Sequence, residues 1–214
     1  MNLLIFDLDG TLIDSQLDLA NAVNAARGHM NLPPLENSAV YAMVGHGAPV
    51  LIRRALGPDA PDADVERALE FFLKHYREHM LDHTVLYEGV RETLDSFRAR
   101  GLPMAILTNK PVNFSVSIIA GLGLTDHFFR IYGGNSFDFK KPHPVGVNAL
   151  LEESGVGREK ACMVGDSAVD IRTARNAGIR SYGVTYGFQP ESLAAEPPDV
   201  LLDNFSGLMP FVLG

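Results

Sequence analysis

The chain has 214 residues, 46% of them hydrophobic and 21% charged, with a formal net charge of −8. These proportions are those of a folded globular protein, and they exclude global disorder; the acidic balance argues against a general nucleic-acid or anionic-membrane binder. A single cysteine, Cys162, excludes an intrachain disulfide, no window approaches the ~18 apolar residues of a membrane span, and Leu3–Phe6 is too short for the core of a signal peptide, so a soluble, cytoplasmic protein is expected.

In chain order, the first element is the continuous apolar run Leu3–Phe6, which reads as a strand buried on both faces. Ser15 with Asp18 three residues on has the pattern of a capping box, opening a helix that runs to about Met30. Pro33–Pro34 ends it. Asn37–Val44 forms a second short helix, Gly45-His46-Gly47 breaks the chain, Ala48–Leu56 is a third, and Asp62–Leu81 a fourth with Val65, Leu69, Phe72, Leu73 and Tyr76 at helical spacing. From residue 85 strands and helices alternate. Glu88–Ala99 is a helix closed by Gly101. Pro103–Leu107 is a strand, Val112–Ala120 a helix stopped by Gly121, and Phe128–Tyr132 a strand. Pro144–Ser154 ends at Gly155, Ala161–Val164 is a strand, and Ala168–Ala177 ends at Gly178. Arg180–Val184 and Val200–Leu202 complete the strands. The alternation predicts an α/β fold with a doubly wound parallel sheet, built from residues 1–14 and 85–214, with a helical insertion over 15–84.

In such a sheet ligands bind beyond the carboxyl ends of the strands. Those ends carry Asp7-Leu8-Asp9-Gly10-Thr11, Thr108-Asn109-Lys110 and Gly165-Asp166-Ser167, with Asp170 further on. Asp7 and Asp9 share a side while the chain stays extended, and Asp166 and Asp170 share a face if both are helical. Each segment taken alone reads equally well as caps and turns. Together they gather carboxylates at one sheet end, which is unfavourable without a cation among them. Oxygen ligands without a His/Cys set favour Mg²⁺. With threonine, amide and lysine donors converging, the site suits a phosphoryl group, and Asp7 has the chemistry to attack phosphorus.

These motifs resemble those of the haloacid dehalogenase-like superfamily of phosphohydrolases. Phe6-Asp7-Leu8-Asp9-Gly10-Thr11-Leu12 is similar to its first motif, Leu107-Thr108-Asn109 to its second, Lys141-Pro142-His143-Pro144 to its third, and Gly165-Asp166-Ser167-Ala168-Val169-Asp170 to its fourth. The resemblance implies Asp7 as nucleophile and Asp9 as the acid that protonates the leaving oxygen and then the base that activates water. It implies Thr108 and Lys141 as holders of the phosphoryl oxygens, assisted by Asn109, with Lys140 the alternative cation. Mg²⁺ would sit on the Asp7 carboxylate, the Asp9 main-chain carbonyl and the Asp166 carboxylate, supported by Asp170. Members that dehalogenate lack the second aspartate, so Asp9 favours phosphoryl transfer.

The insertion occupies the place of the superfamily's helical cap. Val44-Gly45-His46-Gly47-Ala48 with Arg53-Arg54 resembles the cap of phosphoglycolate phosphatases. Gly45, His46 and Gly47, at a helix N-terminus, are then expected to meet a substrate carboxylate, although two glycines also make a plain turn between helices. His75-Tyr76-Arg77-Glu78-His79 spells H-x-x-E-H but has no third ligand in the sequence. Cys162 reads as a small buried apolar residue, and Tyr182, Tyr186 and Phe188 as packing at the core edge. The expected activity is Mg²⁺-dependent hydrolysis of a small phosphorylated metabolite, with 2-phosphoglycolate leading. The alternatives are a sugar phosphomutase or a phosphatase of another small phosphate ester on the same scaffold, or a non-catalytic module, and the oligomeric state is left open.

Overall fold

Every residue of Leu3–Phe6, Met104–Leu107 and Ala161–Gly165 is buried, as strands covered on both faces require. In the computed structural model, which describes residues 1–213, these three runs form the middle of a six-stranded parallel sheet. The strands of the chain are β1 (Leu3–Phe6), β2 (Ile13–Asp14), β3 (Val85–Leu86), β4 (Met104–Leu107), β5 (Arg130–Tyr132), β6 (Ala161–Gly165), β7 (Arg180–Val184) and β8 (Val200–Leu202), and the sheet order is β5-β4-β1-β6-β7-β8. Phe6 lies opposite Ile106 on one side and Val164 on the other. The carboxyl ends of the three central strands are therefore level, and the residues that follow each fall along one edge.

The helices are α1 (Gln16–His29), α2 (Asn37–Tyr41), α3 (Ala48–Leu56), α4 (Asp62–His79), α5 (Val90–Ala99), α6 (Val112–Gly121), α7 (Val145–Ser154), α8 (Ala168–Ala177) and α9 (Met209–Leu213). Leu3 and Ile5 pack into one core with Val147, Leu150, Ala174 and Ala177 of α7 and α8. The alternate residues of β1 turn to the other face, where the Phe6 ring lies 6.4 Å from Phe128 and 5.6 Å from Phe205. The result is the predicted α/β parallel sheet with flanking helices.

The chain divides into two compact units, one made of Met1–Asp14 and the chain from Leu86 onward, the other of Ser15–Val85. The first holds the sheet. The second holds α1 to α4, and its interior contains Val23, Ile52, Ala68, Phe72 and Tyr76, with the Phe72 and Tyr76 rings stacked at 5.6 Å. No helix of the described residues is long and apolar enough to cross a membrane.

Three local expectations are corrected. Ser15 makes no side-chain cap on α1, because Asp18 is turned toward the end of the same unit. There its carboxylate accepts the His83 N–H at 3.0 Å, the Thr84 N–H and hydroxyl at 2.8 Å each, and the His83 ring at 2.8 Å. Gly121 is the last residue of α6 and not its stop; the left-handed residue is Gly123, at φ +69°. Asp166 precedes α8 and its cap Ser167, so Asp166 and Asp170 do not meet through helical spacing.

Candidate active site

The turn that leaves β1 begins the site. The Leu8 carbonyl accepts from Leu12 and Ile13 at 2.9 and 3.1 Å, folding Asp7 to Thr11 tightly over the strand end. Asp7 Oδ1 accepts the Leu8 N–H at 2.8 Å and lies 2.8 Å from Lys141 Nζ. Its Oδ2 accepts no hydrogen bond from the described residues. One oxygen of Asp7 is thus anchored and the other is left for chemistry.

Lys141 is buried, and its ammonium bridges Asp7 to Asp170 Oδ1, 2.7 Å away. The preceding Lys140 is exposed, so of the two lysines it is Lys141 that stands at the strand ends. The Lys141–Pro142 peptide is cis, and the Lys141 carbonyl accepts from Asn109 Nδ2 at 3.3 Å. Asn109 thereby ties the loop after β4 to the lysine. Thr108, beside it, is buried, with its N–H on the Tyr132 carbonyl at 3.0 Å.

Asp170 Oδ2 accepts the Ser167 N–H at 3.1 Å and the Ser167 hydroxyl at 2.7 Å, and the Asp170 N–H donates back to the Ser167 side chain to complete the capping box of α8. Both its oxygens are therefore engaged, one by Lys141 and one by the helix cap. Asp166 Oδ2 accepts the Phe188 and Gln189 N–H groups at 2.7 and 3.3 Å, while Oδ1 takes no bond from the described residues. Ligand atoms of Asp7, Asp166 and Asp170 all lie within 4.8 Å of one another. Asp9 lies outside that trio and pairs with Lys110, its Oδ1 and Oδ2 3.0 and 3.2 Å from Lys110 Nζ.

Charge in this cluster is unbalanced. Burial pushes Asp7 up to about 6, against the opposing charge of Lys141 and with a smaller upward push from the Asp170 charge. Burial, then Asp170 and Asp7, pushes Asp166 well above the usual carboxylate range. Burial works against the Lys141 charge, yet Asp170 and Asp7 hold it above the ordinary lysine value. One lysine among the three acids leaves a deficit of positive charge, and Asp166 retains an uncommitted oxygen close to the Asp7 carboxylate. That donor set fits a hard divalent cation, with Asp170 behind it as the anchor of Lys141.

Some contributors were not singled out in the sequence. Lys110 was read only as part of the loop after β4. The N–H groups of Phe188 and Gln189 after β7 hold Asp166. Tyr186, expected to pack the core edge, donates its hydroxyl to the Thr11 carbonyl at 2.9 Å. The available signal was Gly187 between two aromatics just past a strand, the mark of a close backbone approach. In the helical unit Gly45 is exposed, and His46 and Gly47 are half-buried at the start of α3. His79 pairs with Asp82 at 2.8 Å, and His75 stacks against Phe71 and lies 4.4 Å from the His79 ring. Cys162 is buried in β6, its thiol pushed up to about 12 by that burial.

A parallel sheet with anchored carboxylates and a lysine at its strand ends is the architecture of one hydrolase class. The model of the haloacid dehalogenase-like hydrolase family matches residues 4–184, and the chain belongs to that family. It is 43% identical over 191 residues to a phosphoglycolate phosphatase of Chromobacterium violaceum, covering 87% of this chain and 86% of that one. It is 39% identical over 213 residues to a phosphoglycolate phosphatase of Pectobacterium atrosepticum, covering 98% and 91%. Among solved structures it is similar to a predicted phosphoglycolate phosphatase from Haemophilus somnus, with a TM-score of 0.93, 32% identity and coverage of 99% and 97%.

Proposed function

We propose that the protein is a phosphatase that hydrolyses a small phosphomonoester, 2-phosphoglycolate, through an aspartyl-phosphate on Asp7. The observation that carries this is the asymmetry of Asp7: Oδ1 is fixed by Lys141 and Leu8, and Oδ2 is uncommitted. In the first half-reaction Oδ2 attacks phosphorus and the bond from phosphorus to the ester oxygen breaks. Asp9 gives its proton to that oxygen, releasing the alcohol. In the second, Asp9 takes a proton from water, the water oxygen attacks phosphorus, and inorganic phosphate leaves with the Asp7 carboxylate restored.

Thr108 and Lys141 hold the phosphoryl oxygens, and Asn109 keeps Lys141 in place. Mg²⁺ would be held by Asp7 and Asp166 with the Asp9 main-chain carbonyl; when bound it supplies neutralising charge for the phosphoryl group. The names of the curated relatives support 2-phosphoglycolate as substrate. On this reading the helical unit serves as a cap, and Gly45, His46 and Gly47 meet the substrate carboxylate.

The test is phosphate release from a panel of small phosphate esters with Mg²⁺, repeated with EDTA and with Asp7→Asn. Release from 2-phosphoglycolate is expected to be the fastest, to stop with EDTA and return with Mg²⁺, and to vanish in Asp7→Asn. Near-wild-type turnover by Asp7→Asn with an unchanged circular dichroism spectrum would overturn the mechanism. Transfer of phosphate between positions of a sugar, without release to water, would make the enzyme a mutase.

A further inference from the structure

Two lysines are buried at the strand ends, at 7% and 5% exposure for Lys110 and Lys141. Lysine is almost never fully buried unless it is paired. These two divide the acids between them: Lys141 pairs with Asp7 and Asp170, and Lys110 pairs with Asp9. The Lys110 ammonium straddles the Asp9 carboxylate, 3.0 Å from one oxygen and 3.2 Å from the other.

The base of the Lys110 side chain is fixed as firmly as its tip. Its N–H donates to Thr108 Oγ1 at 3.2 Å, and its carbonyl accepts from the Gly134 N–H at 2.9 Å. Gly134 lies so close that a Cβ there would fall 2.4 Å from the Asn109 carbonyl oxygen. The next turn is held too, since Val112 N–H donates to Asn135 Oδ1 at 2.9 Å. The lysine stem thus leaves a pinned loop and ends on a residue far away in sequence.

We propose that Lys110 is the positioning residue for Asp9, holding the plane of its carboxylate so that one oxygen is directed at the ester oxygen and later at water. The inference rests on the reading of Asp9 as acid and base. A carboxylate turns readily about its last torsion, which has a broad two-fold profile. An acid displaced by about 1 Å loses on the order of 10²-fold in rate. A cation seated across both oxygens removes that freedom.

The experiment compares Lys110→Met with wild type on two esters, 2-phosphoglycolate and p-nitrophenyl phosphate, reading kcat/KM. That parameter covers only the steps through release of the alcohol. The glycolate oxygen needs a proton to leave, whereas p-nitrophenol leaves as an anion. Lys110→Met is expected to lose about 10²-fold on 2-phosphoglycolate and less than about fivefold on p-nitrophenyl phosphate. Asp9→Asn, measured alongside, should show the same leaving-group dependence. Absence of that dependence in Asp9→Asn refutes the acid–base reading itself. Its presence in Asp9→Asn with equal losses on both esters in Lys110→Met overturns this inference alone and makes Lys110 a phosphoryl-binding cation. Lys110→Cys, alkylated with 2-bromoethylamine, restores an ammonium at the same reach, and wild type treated in parallel controls for reaction at the buried Cys162. Alkylation is expected to return the ratio of the two kcat/KM values toward wild type. No change on alkylation, in a variant folded before and after, counts against the proposal even if Lys110→Met does not fold.

Discussion

Asp166 is held by shape as much as by charge. A Cβ on Gly187 would lie 2.2 Å from Asp166 Cβ and 2.6 Å from its Oδ2, and would also strike the Gly10 carbonyl at 2.4 Å. None of those atoms is the free end of a long side chain, so Gly187→Ala must displace the carboxylate or the strand-end turn. Groups that orient a metal-binding carboxylate are worth roughly 10–100-fold in metal affinity. Gly187→Ala is therefore expected to raise the Mg²⁺ concentration for half-maximal activity by about tenfold, with much of the maximal rate recovered at saturating metal. An unchanged Mg²⁺ requirement would show that Asp166 does not serve the cation. Asp9→Asn belongs at the same scale: it keeps the main-chain carbonyl and removes the proton, so turnover of an alkyl ester should fall between about 10²- and 10⁴-fold. The placement of Asp7 and Asp9, the proposed nucleophile and acid, was legible in the sequence because a strand followed by Asp-x-Asp puts both at its carboxyl end. Gly187 was not, because only the folded distance to Asp166 gives that glycine its reason.

Two Ser-x-x-Asp segments show what a local pattern can and cannot decide. Ser167 and Asp170 form the reciprocal cap that the spacing allows, while Ser15 and Asp18 have the same spacing and do not. Asp18 is drawn instead to the end of its unit, where four donor groups of His83 and Thr84 converge on it. Burial alone would lift the Asp18 carboxyl, but the bonds from His83 and Thr84 hold it below its ordinary value of 3.8. A depressed folded value means that the stabilisation is fully present above the unfolded value, near pH 4, and is lost as pH falls through the folded one. Asp18→Asn removes the charge at every pH. It is expected to cost about 2 kcal/mol at pH 7, the scale of hydrogen bonds to a buried charged group. The gap to wild type in urea unfolding should narrow as pH is lowered toward 3. A gap independent of pH would mean that the bonds do not depend on the charge. The same contrast explains the elements. β1 was readable to the residue because continuous apolarity has one meaning in a parallel sheet, and β7 and β8 also keep their expected bounds although β7 opens on an exposed arginine. The ends of α2 and α4 fell short of their apolar patterns, since a pattern marks the buried face and not the last hydrogen bond.

At the scale of the molecule, the proposed function divides chemistry and selection between the two units. Asp7, Asp9, Thr108, Lys110, Lys141, Asp166 and Asp170 all belong to the sheet unit, and Gly45, His46 and Gly47 to the helical one. The phosphoryl group is common to every candidate ester, so the sheet unit treats them alike, and discrimination must come from contacts with the remainder of the substrate. For 2-phosphoglycolate that remainder is little more than a carboxylate. A run of unhindered backbone ending at a helix N-terminus suits such a group. Gly47 caps α3 at φ +87°, a conformation that a β-branched residue does not tolerate. Gly47→Val should therefore lower kcat/KM for 2-phosphoglycolate by tenfold or more, roughly 1.4 kcal/mol of transition-state stabilisation. Its activity on p-nitrophenyl phosphate, whose leaving group has no carboxylate, should fall much less. His46→Asn should be tolerated, because either side chain donates a hydrogen bond. The two esters need only be measured in one variant to decide the matter: a shared loss assigns Gly47 to the placement of the helical unit, and a selective loss assigns it to the substrate.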